Sequence, residues 1–385
     1  MRLLYVVTED WYFLSHRLPM ARAARDAGFE VHVATRVVDG AAAIAAEGFT
    51  LHPVPFARGK LSPLAAIATI RALRRVHRQV APALAHHVAL QAAVLGSIAA
   101  MGRSVACVNA LTGLGYTFTS GNAKAMLLRP FMGLLLRLLF NGRNRMVLVQ
   151  NPDDQTGMQR LGITAERIAL IPGSGVDVTA LQPLPEPSGP PVVAFVGRLL
   201  ADKGIHTLIA AHRLLRQRGS NVELLIAGTP DPSNPASVSE QDAAGWNSEA
   251  GIQWLGHIGD IPALWARAHI AILPSRREGL PKSLLEAAAC GRPMIAADVP
   301  GCREVVRPNE TGLLFPVDDA PALATAIETL SASPALRARL GAGARQLAVE
   351  RFSAAAIGRQ TVDLYRSLVR LDGRTPAVTT AKAER

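Results

Sequence analysis

Short apolar runs alternate along the chain with longer segments of helical spacing. LLYVVT (3–8), EVHVAT (30–35), ALAHHV (83–88), VACVN (105–109) and MVLVQ (146–150) read as strands. Segments near 15–27, 63–80, 89–102 and 123–140 read as the helices between them. Strands this uniformly apolar are buried on both faces, so helices cover both sides of a parallel sheet. The alternation restarts with VVAFV (192–196), LLIAG (224–228), IQWLG (252–256), IAILP (270–274) and MIAAD (294–298). Between the two sets, PLPEPSGPP (183–191) has five prolines in nine residues, which neither a helix nor a central strand tolerates. The pattern predicts an α/β chain of two doubly wound domains, 1–182 and 192–352, joined by a stiff linker over 183–191. A cleft is expected between them, with ligands at the carboxyl ends of the strands. FSAAAIGRQTVDLYRSLV (352–369) reads as a last helix, with Ser353 fit to cap it. This helix, about 353–370, is expected to pack back on the first domain, and the polar tail 371–385 is expected to be disordered.

Composition narrows the class. The 385 residues are 49% hydrophobic, enough for two sizeable cores. The N-terminal apolar run ends in acids and reads as a strand, not a signal peptide. No stretch reaches the roughly 20 uncharged apolar residues of a membrane span. Cys107, Cys290 and Cys302 are odd in number and lack C-x-x-C spacing, which fits a reduced cytoplasmic protein. Net charge is +11, and its distribution says more than its size. Residues 48–152 contain no Asp or Glu but twelve Lys or Arg, a one-signed field that attracts polyanions or an anionic membrane.

Two loops carry candidate chemistry. SRREGLPKSLLEAAACG (275–291) follows a strand, and Pro281 suits the first position of the helix after it. The opening N–H groups of that helix attract an anion, and Gly279 lets a ligand approach the backbone. A carboxylate beside a phosphate is repelled, so Glu278 suits neutral hydroxyls; Glu286, two turns into the helix, suits a pair of neighbouring hydroxyls. The bland reading is a capping acid and a solvated helix acid. GRLLADKGI (197–205) follows VVAFV and offers Arg198 and Lys203, a fork and a point charge fit to hold a diphosphate and to stabilise one as it departs. The bland reading here is two surface cations.

Together these motifs resemble the retaining family 4 (group 1) glycosyltransferases of GT-B architecture. The E-x7-E pattern is Glu278…Glu286 and the cationic pair is Arg198 with Lys203. GHIGD, EGLPKSLLEAAACGRPMIAAD, GCREVV and NETGLLFP extend the resemblance over nearly all of 190–370. It implies two Rossmann-like domains and a nucleotide-sugar donor, most often a UDP-sugar. Arg198 and Lys203 would bind its diphosphate, and Glu278 with the backbone of Gly279 and Leu280 its sugar. Glu286 would bind the ribose, and the backbone near His257 and Ile258 the base. By the same resemblance Glu278, Arg198 and Lys203 form the catalytic group.

The first half, through WYFLSHRLPMARAARDAGFEVHVAT and NALTGLGYTFTS, resembles the subset that extends polyprenyl-diphosphate-linked sugars in surface-polysaccharide synthesis. Thr112 and Gly113 then belong to the acceptor side. Two departures from the family stand out. TEDWYFLSHR replaces the Gly-Gly loop after the first strand, so donor contacts from that loop do not carry over; His16 and Arg17 either face the cleft or begin the first helix. Asn109 stands where many relatives have a His, leaving His86 and His87 as cleft or core residues. No general base is evident, and the donor's own phosphate can take the acceptor proton. No metal or other cofactor is expected, since neither a D-x-D nor a His/Cys cage occurs.

KAMLLRPFMGLLLRLLFNGRNR (124–145) is apolar with interspersed cations and reads as an interfacial helix or a core helix. RALRRVHR (71–78) adds attraction to an anionic leaflet. The expected partners are therefore a nucleotide-sugar, a lipid-linked saccharide and the inner face of the cell membrane. A soluble small-molecule acceptor is the alternative. A nucleic-acid binder is disfavoured, because the basic stretch has few aromatics for base stacking.

Overall fold

The computed structural model describes residues 1–57, 62–111, 123–232, 234 and 236–371. The chain divides into two compact units: Met1–Ile171 with the residues from Gly358 on, and Pro172–Ile357. The first contains β1 (Arg2–Glu9), β2 (Glu30–Arg36), β3 (Thr50–Pro53), β4 (Leu84–Val88), β5 (Ala106–Ala110), β6 (Arg145–Val149) and β7 (Ile168–Leu170), in the order β3-β2-β1-β4-β5-β6-β7. The second contains β8 (Val192–Val196), β9 (Glu223–Ala227), β10 (Ile252–Gly256), β11 (Ile270–Leu273), β12 (Met294–Ala297) and β13 (Gly312–Phe315), in the order β10-β9-β8-β11-β12-β13. Neighbouring strands pair in parallel throughout both sheets.

The central strands explain the apolar runs. β4, β5, β11 and β12 are buried along their whole length, so every side chain, whichever face it occupies, meets a helix layer. In each sheet the chain winds outward in one direction, then returns past its first strand to continue in the other. The order reverses between β1 and β4 in the first unit and between β8 and β11 in the second. The register Val193↔Ile270, Ala194↔Ala271, Phe195↔Ile272 brings the ends of β8 and β11 side by side. Such reversal points are where doubly wound folds bind ligands.

Several elements differ from the sequence expectation. The stretch 183–191 is not a free linker but packs within the second unit. Leu184 N–H donates to Cys290 O, the Arg292 guanidinium donates to Pro185 O, and Arg337 grips Glu186. The boundary falls instead at Ile171–Pro172. The first helix breaks into Asp10–His16 and Leu18–Asp26. Pro19, in the opening turn of the second piece, has no N–H with which to continue the ladder. β3, β7 and β13 lie at sheet edges and are only three or four residues long, too short for a periodic signal. The last helix is Ala354–Leu371, and Ser353 Oγ accepts the Ala356 N–H. From Gly358 on it belongs to the first unit, where the Tyr365 hydroxyl lies 2.8 Å from that of Tyr5. Residues 372–385, which include all but the first residue of the expected tail, lie outside the described residues.

Buried imidazoles set an acid limit on the first unit. Burial, aided by the Arg103 and Arg145 charges, lowers His77 to about 4. Burial lowers His87 to about 3, against a hydrogen bond to Asn109. An unfolded histidine titrates near 6.5, so above that pH both side chains are neutral in either state. Below it the unfolded chain takes up protons that the fold refuses, and stability falls as pH drops from about 6.5 through about 4. Asp154, raised by burial to about 6, offsets part of the loss as it protonates. The thermal midpoint of the first unit should fall by roughly 10 °C between pH 7 and pH 4.5. Calorimetry across that range checks it; a flat profile would contradict the buried neutral pair.

Candidate active site

Both candidate loops of the second unit leave the carboxyl ends of the two strands at its reversal point. After β8 the chain runs through Gly197–Leu200, makes a single 3-10 turn over Ala201–Lys203 and reaches Gly204, whose φ is +71°. A Cβ on Gly204 would stand 2.0 Å from Pro274 O, at the end of β11. Only glycine therefore lets the β8 loop lie against that strand. The helix Ile205–Gln217 follows.

The loop after β11, Pro274–Leu280, is tied to the β8 loop at three places. Arg276 N–H donates to Asp202 O at 2.9 Å, and the Arg277 guanidinium donates to Asp202 Oδ2 at 2.8 Å. Lys203 Nζ donates to Glu278 Oε1 at 2.6 Å. Arg276 also grips both oxygens of Asp318, in the turn after β13. The Arg276 and Arg277 pairs are exposed and individually weak. The Lys203–Glu278 pair is not: the Glu278 side chain is 9% exposed and that of Lys203 26%. The structure thus joins one member of each sequence motif in a single contact. Arg198 shares neither partner; its guanidinium is half-exposed and bonds Asp231 Oδ2 at 3.1 Å.

Pro281 caps the helix Lys282–Ala289 and does not open it, one position off the expectation. Gly279 and Leu280 are half-buried just before it. Glu286 is 9% exposed and lies 3.2 Å from Lys282 Nζ, one turn earlier. Burial raises its pKa, with Lys282 opposing. Cys302 is fully buried near Glu278 and Lys203, and its thiol is pushed up by burial first and by the Glu278 charge second. A Cβ on Gly301 would meet Gly279 O at 2.4 Å and Glu278 O at 2.6 Å, so the helix Pro300–Val305 presses directly against the loop. His257 and Ile258 follow β10, the first exposed and the second half-buried. Asp202, Asp231 and Lys282 escaped the sequence reading. Lys282 alone left a local signal, the four-residue spacing to Glu286.

The first unit corrects several acceptor-side expectations. His86 and His87 both lie within β4 and are fully buried, as core residues. The ring of His86 meets the Tyr365 hydroxyl, and His87 Nδ1 lies 2.8 Å from Asn109 Oδ1. Arg17 is 1% exposed at the break between the first two helices, where it caps the start of the second; its guanidinium lies against Met20 Sδ and does not reach solvent. His16 ends the first helix, half-buried and stacked on Tyr12 at 4.3 Å. Thr112 and Gly113 lie outside the described residues. Asp10, which follows β1 directly, was not anticipated. Burial would raise its pKa, but N–H groups of Val38, Gly40, Trp11 and Asp39 outweigh burial and lower it. Among the described residues no three His, Cys, Asp or Glu side chains form a metal cage.

Comparisons with known proteins place the family and the fold. Residues 179–347 match the profile of the glycosyl transferases group 1, and residues 2–151 that of the glycosyl transferase 4-like family. The capsular polysaccharide biosynthesis glycosyltransferase CapM of Staphylococcus aureus is 29% identical over 179 residues, 46% of this chain and 47% of CapM. The Campylobacter jejuni N,N'-diacetylbacillosaminyl-diphospho-undecaprenol alpha-1,3-N-acetylgalactosaminyltransferase is 25% identical over 380 residues, 93% of this chain and 98% of that protein. The chain thus spans about half the length of CapM and nearly all of the Campylobacter protein. The crystal structure of Anabaena HepE in complex with UDP and glucose superposes with a TM-score of 0.76 at 22% identity, over 95% of this chain and 100% of HepE, a likeness of fold. The chain belongs to the group 1, family 4 glycosyltransferases, and its two parallel sheets are the paired domains of the GT-B fold.

Proposed function

We propose that this chain is a retaining glycosyltransferase that moves a hexosyl or N-acetylhexosaminyl unit from a UDP-sugar to a polyprenyl-diphosphate-linked saccharide. One observation carries the reading: Lys203 and Glu278, from separate motifs, meet at the reversal point of the second sheet. A cation for phosphate and an acid for hydroxyls stand together there, beside the opening N–H groups of the helix Lys282–Ala289. The complex of HepE with UDP and glucose, and the diphospho-undecaprenol-linked acceptor for which the Campylobacter relative is named, support the donor and acceptor classes.

Lys203 and Glu278 neutralise each other in their mutual contact. A bound donor divides them: its diphosphate takes Lys203, Arg198 and the helix N-terminus, and its sugar hydroxyls take Glu278 with the backbone of Gly279 and Leu280. Glu286 receives the ribose, and the chain at His257 and Ile258 the base. The acceptor hydroxyl attacks the anomeric carbon on the face that the diphosphate leaves. The bond from that carbon to the phosphate oxygen breaks, and the acceptor proton passes to the departing phosphate. Arg198 and Lys203 stabilise the charge that builds there, so no metal is called for. His16, with Thr112 and Gly113, remains the acceptor-side group on the first unit. Among the described residues no helix is long and apolar enough to cross a membrane. The helix Ala123–Phe140 exposes Phe131, Leu134 and Leu138 along one stripe, and in this reading that stripe lies in the interface of the inner membrane face.

Purified protein offered a panel of UDP-sugars should release UDP only when a polyprenyl-diphosphate-linked saccharide is added; release with a soluble sugar alone would move the reading to a soluble acceptor. Glu278→Gln should lower transfer at least about a hundredfold. It should also bind UDP as tightly as the parent or more so, because Lys203 is set free; weaker UDP binding by calorimetry would contradict the shared-pair account. Arg198→Ala should weaken UDP by about tenfold, a charged hydrogen bond's worth. Gly301→Ala should slow transfer with the fold intact by circular dichroism, since its Cβ displaces the Glu278 loop; parental rates would show that the loop's position is not critical.

A further inference from the structure

The helix Pro63–Val80 carries Arg71, Arg74, Arg75 and Arg78 on one exposed face, at the three- and four-residue intervals that align side chains. Arg103, after the helix Leu90–Ala99, comes in from a second element, and these five arginines line a surface hollow of about 420 Å³. The chain has no Asp or Glu between 48 and 152, and among the described residues no ion pair engages any of the five. Like charges at these intervals oppose the helix that carries them. An anion entering the hollow relieves that repulsion, and guanidinium forks match phosphate oxygens in particular.

The location separates this hollow from the reaction. The helix ends beside the start of β1, where the Arg2 guanidinium donates to Val80 O, and Arg103 stands just before β5. Arg78 and Arg103 are therefore at the amino edge of the first sheet, opposite the carboxyl edge where doubly wound folds bind reactants. The same helix face continues toward its N-terminus with Leu64 and Ile67, 80% and 45% exposed. Leu64 lies about 21 Å from Arg78 along the axis, at 1.5 Å per residue. Cationic at one end and aliphatic at the other, the face matches a layer with anionic phosphates above acyl chains. A nucleic acid fits it less well, because no aromatic side chain stands on this face for base stacking.

We propose that this face docks on an anionic membrane leaflet, with the five guanidiniums gripping phosphate headgroups in the hollow and Leu64 and Ile67 entering the acyl layer. The inference rests on the membrane side of the proposed function and is independent of the sugar chemistry. Flotation of the full chain tests it, with phosphatidylcholine vesicles that contain or lack phosphatidylglycerol, at low and high salt. The chain should float with the anionic vesicles at low salt and be released by high salt. Arg74→Gln with Arg78→Gln should weaken that partitioning about 25-fold, near fivefold per charge removed, with UDP binding and circular dichroism unchanged. Equal flotation of the double variant would overturn the proposal. So would loss of flotation in Leu134→Ser with Leu138→Ser when the arginine variant retains it. Saturation by inorganic diphosphate with the vesicles ignored would assign the hollow to a soluble anion. Retention of an oligonucleotide, sensitive to the arginine variant and without vesicle binding, would assign it to a nucleic acid. Either result overturns the proposal as well. Loss of UDP binding with flotation intact would strike the proposed reaction and support this face as separate from it.

Discussion

The parallel pairing of β8 with β11 is the constraint on which the candidate site depends. Those strands are separated by more than seventy residues, yet their register sets Phe195 opposite Ile272 and so brings their following loops together. The 2.6 Å contact between Lys203 and Glu278 follows from that register. Slipping one strand by a single residue would turn its side chains to the other face and part the pair. Burial of the whole of β11 and β12 resists such a slip. The apolar core is thus what holds the polar contact in place.

Close backbone approach is the second condition. Gly204 against Pro274 O and Gly301 against the carbonyls of Glu278 and Gly279 leave no room for a Cβ at either point. The two loops are thus packed from both sides. An acid and a cation held this way need little rearrangement to meet a charged ligand, which is the physical meaning of preorganisation. The nearly buried Glu278 would be costly alone; with Lys203 against it, the charge is compensated.

Much of this was legible from residues alone. The strands of both sheet centres were visible because burial on two faces demands unbroken apolar runs, and VVAFV and IQWLG coincide with β8 and β10. The edge strands Thr50–Pro53 and Gly312–Phe315 were not, since an edge of four residues carries no period to detect. Glu278, Glu286, Arg198 and Lys203 stood out as candidates by their spacing after strands, and the structure puts their segments after β8 and β11. Asp202 and Asp231 were not, because their role is to hold a partner fixed by tertiary contact. His86 and His87 show the converse error. Two adjacent histidines at a strand end looked available, but β4 is central and both point into packed layers. The Pro-rich stretch misled for a related reason: proline excludes helix and central strand, yet says nothing of what Arg292 and Arg337 fasten it to.

The two units differ in electrostatic character as well as in contents. The second holds acids and cations in matched contacts around one site, whereas the first holds an unrelieved run of arginines on the helix Pro63–Val80. Amide hydrogen exchange with and without UDP tests the central claim most directly. Protection confined to the peptides 197–204, 256–259 and 275–289 is the expected result. Protection absent there, or found only in the arginine helix of the first unit, would contradict a donor site built on the β8–β11 reversal.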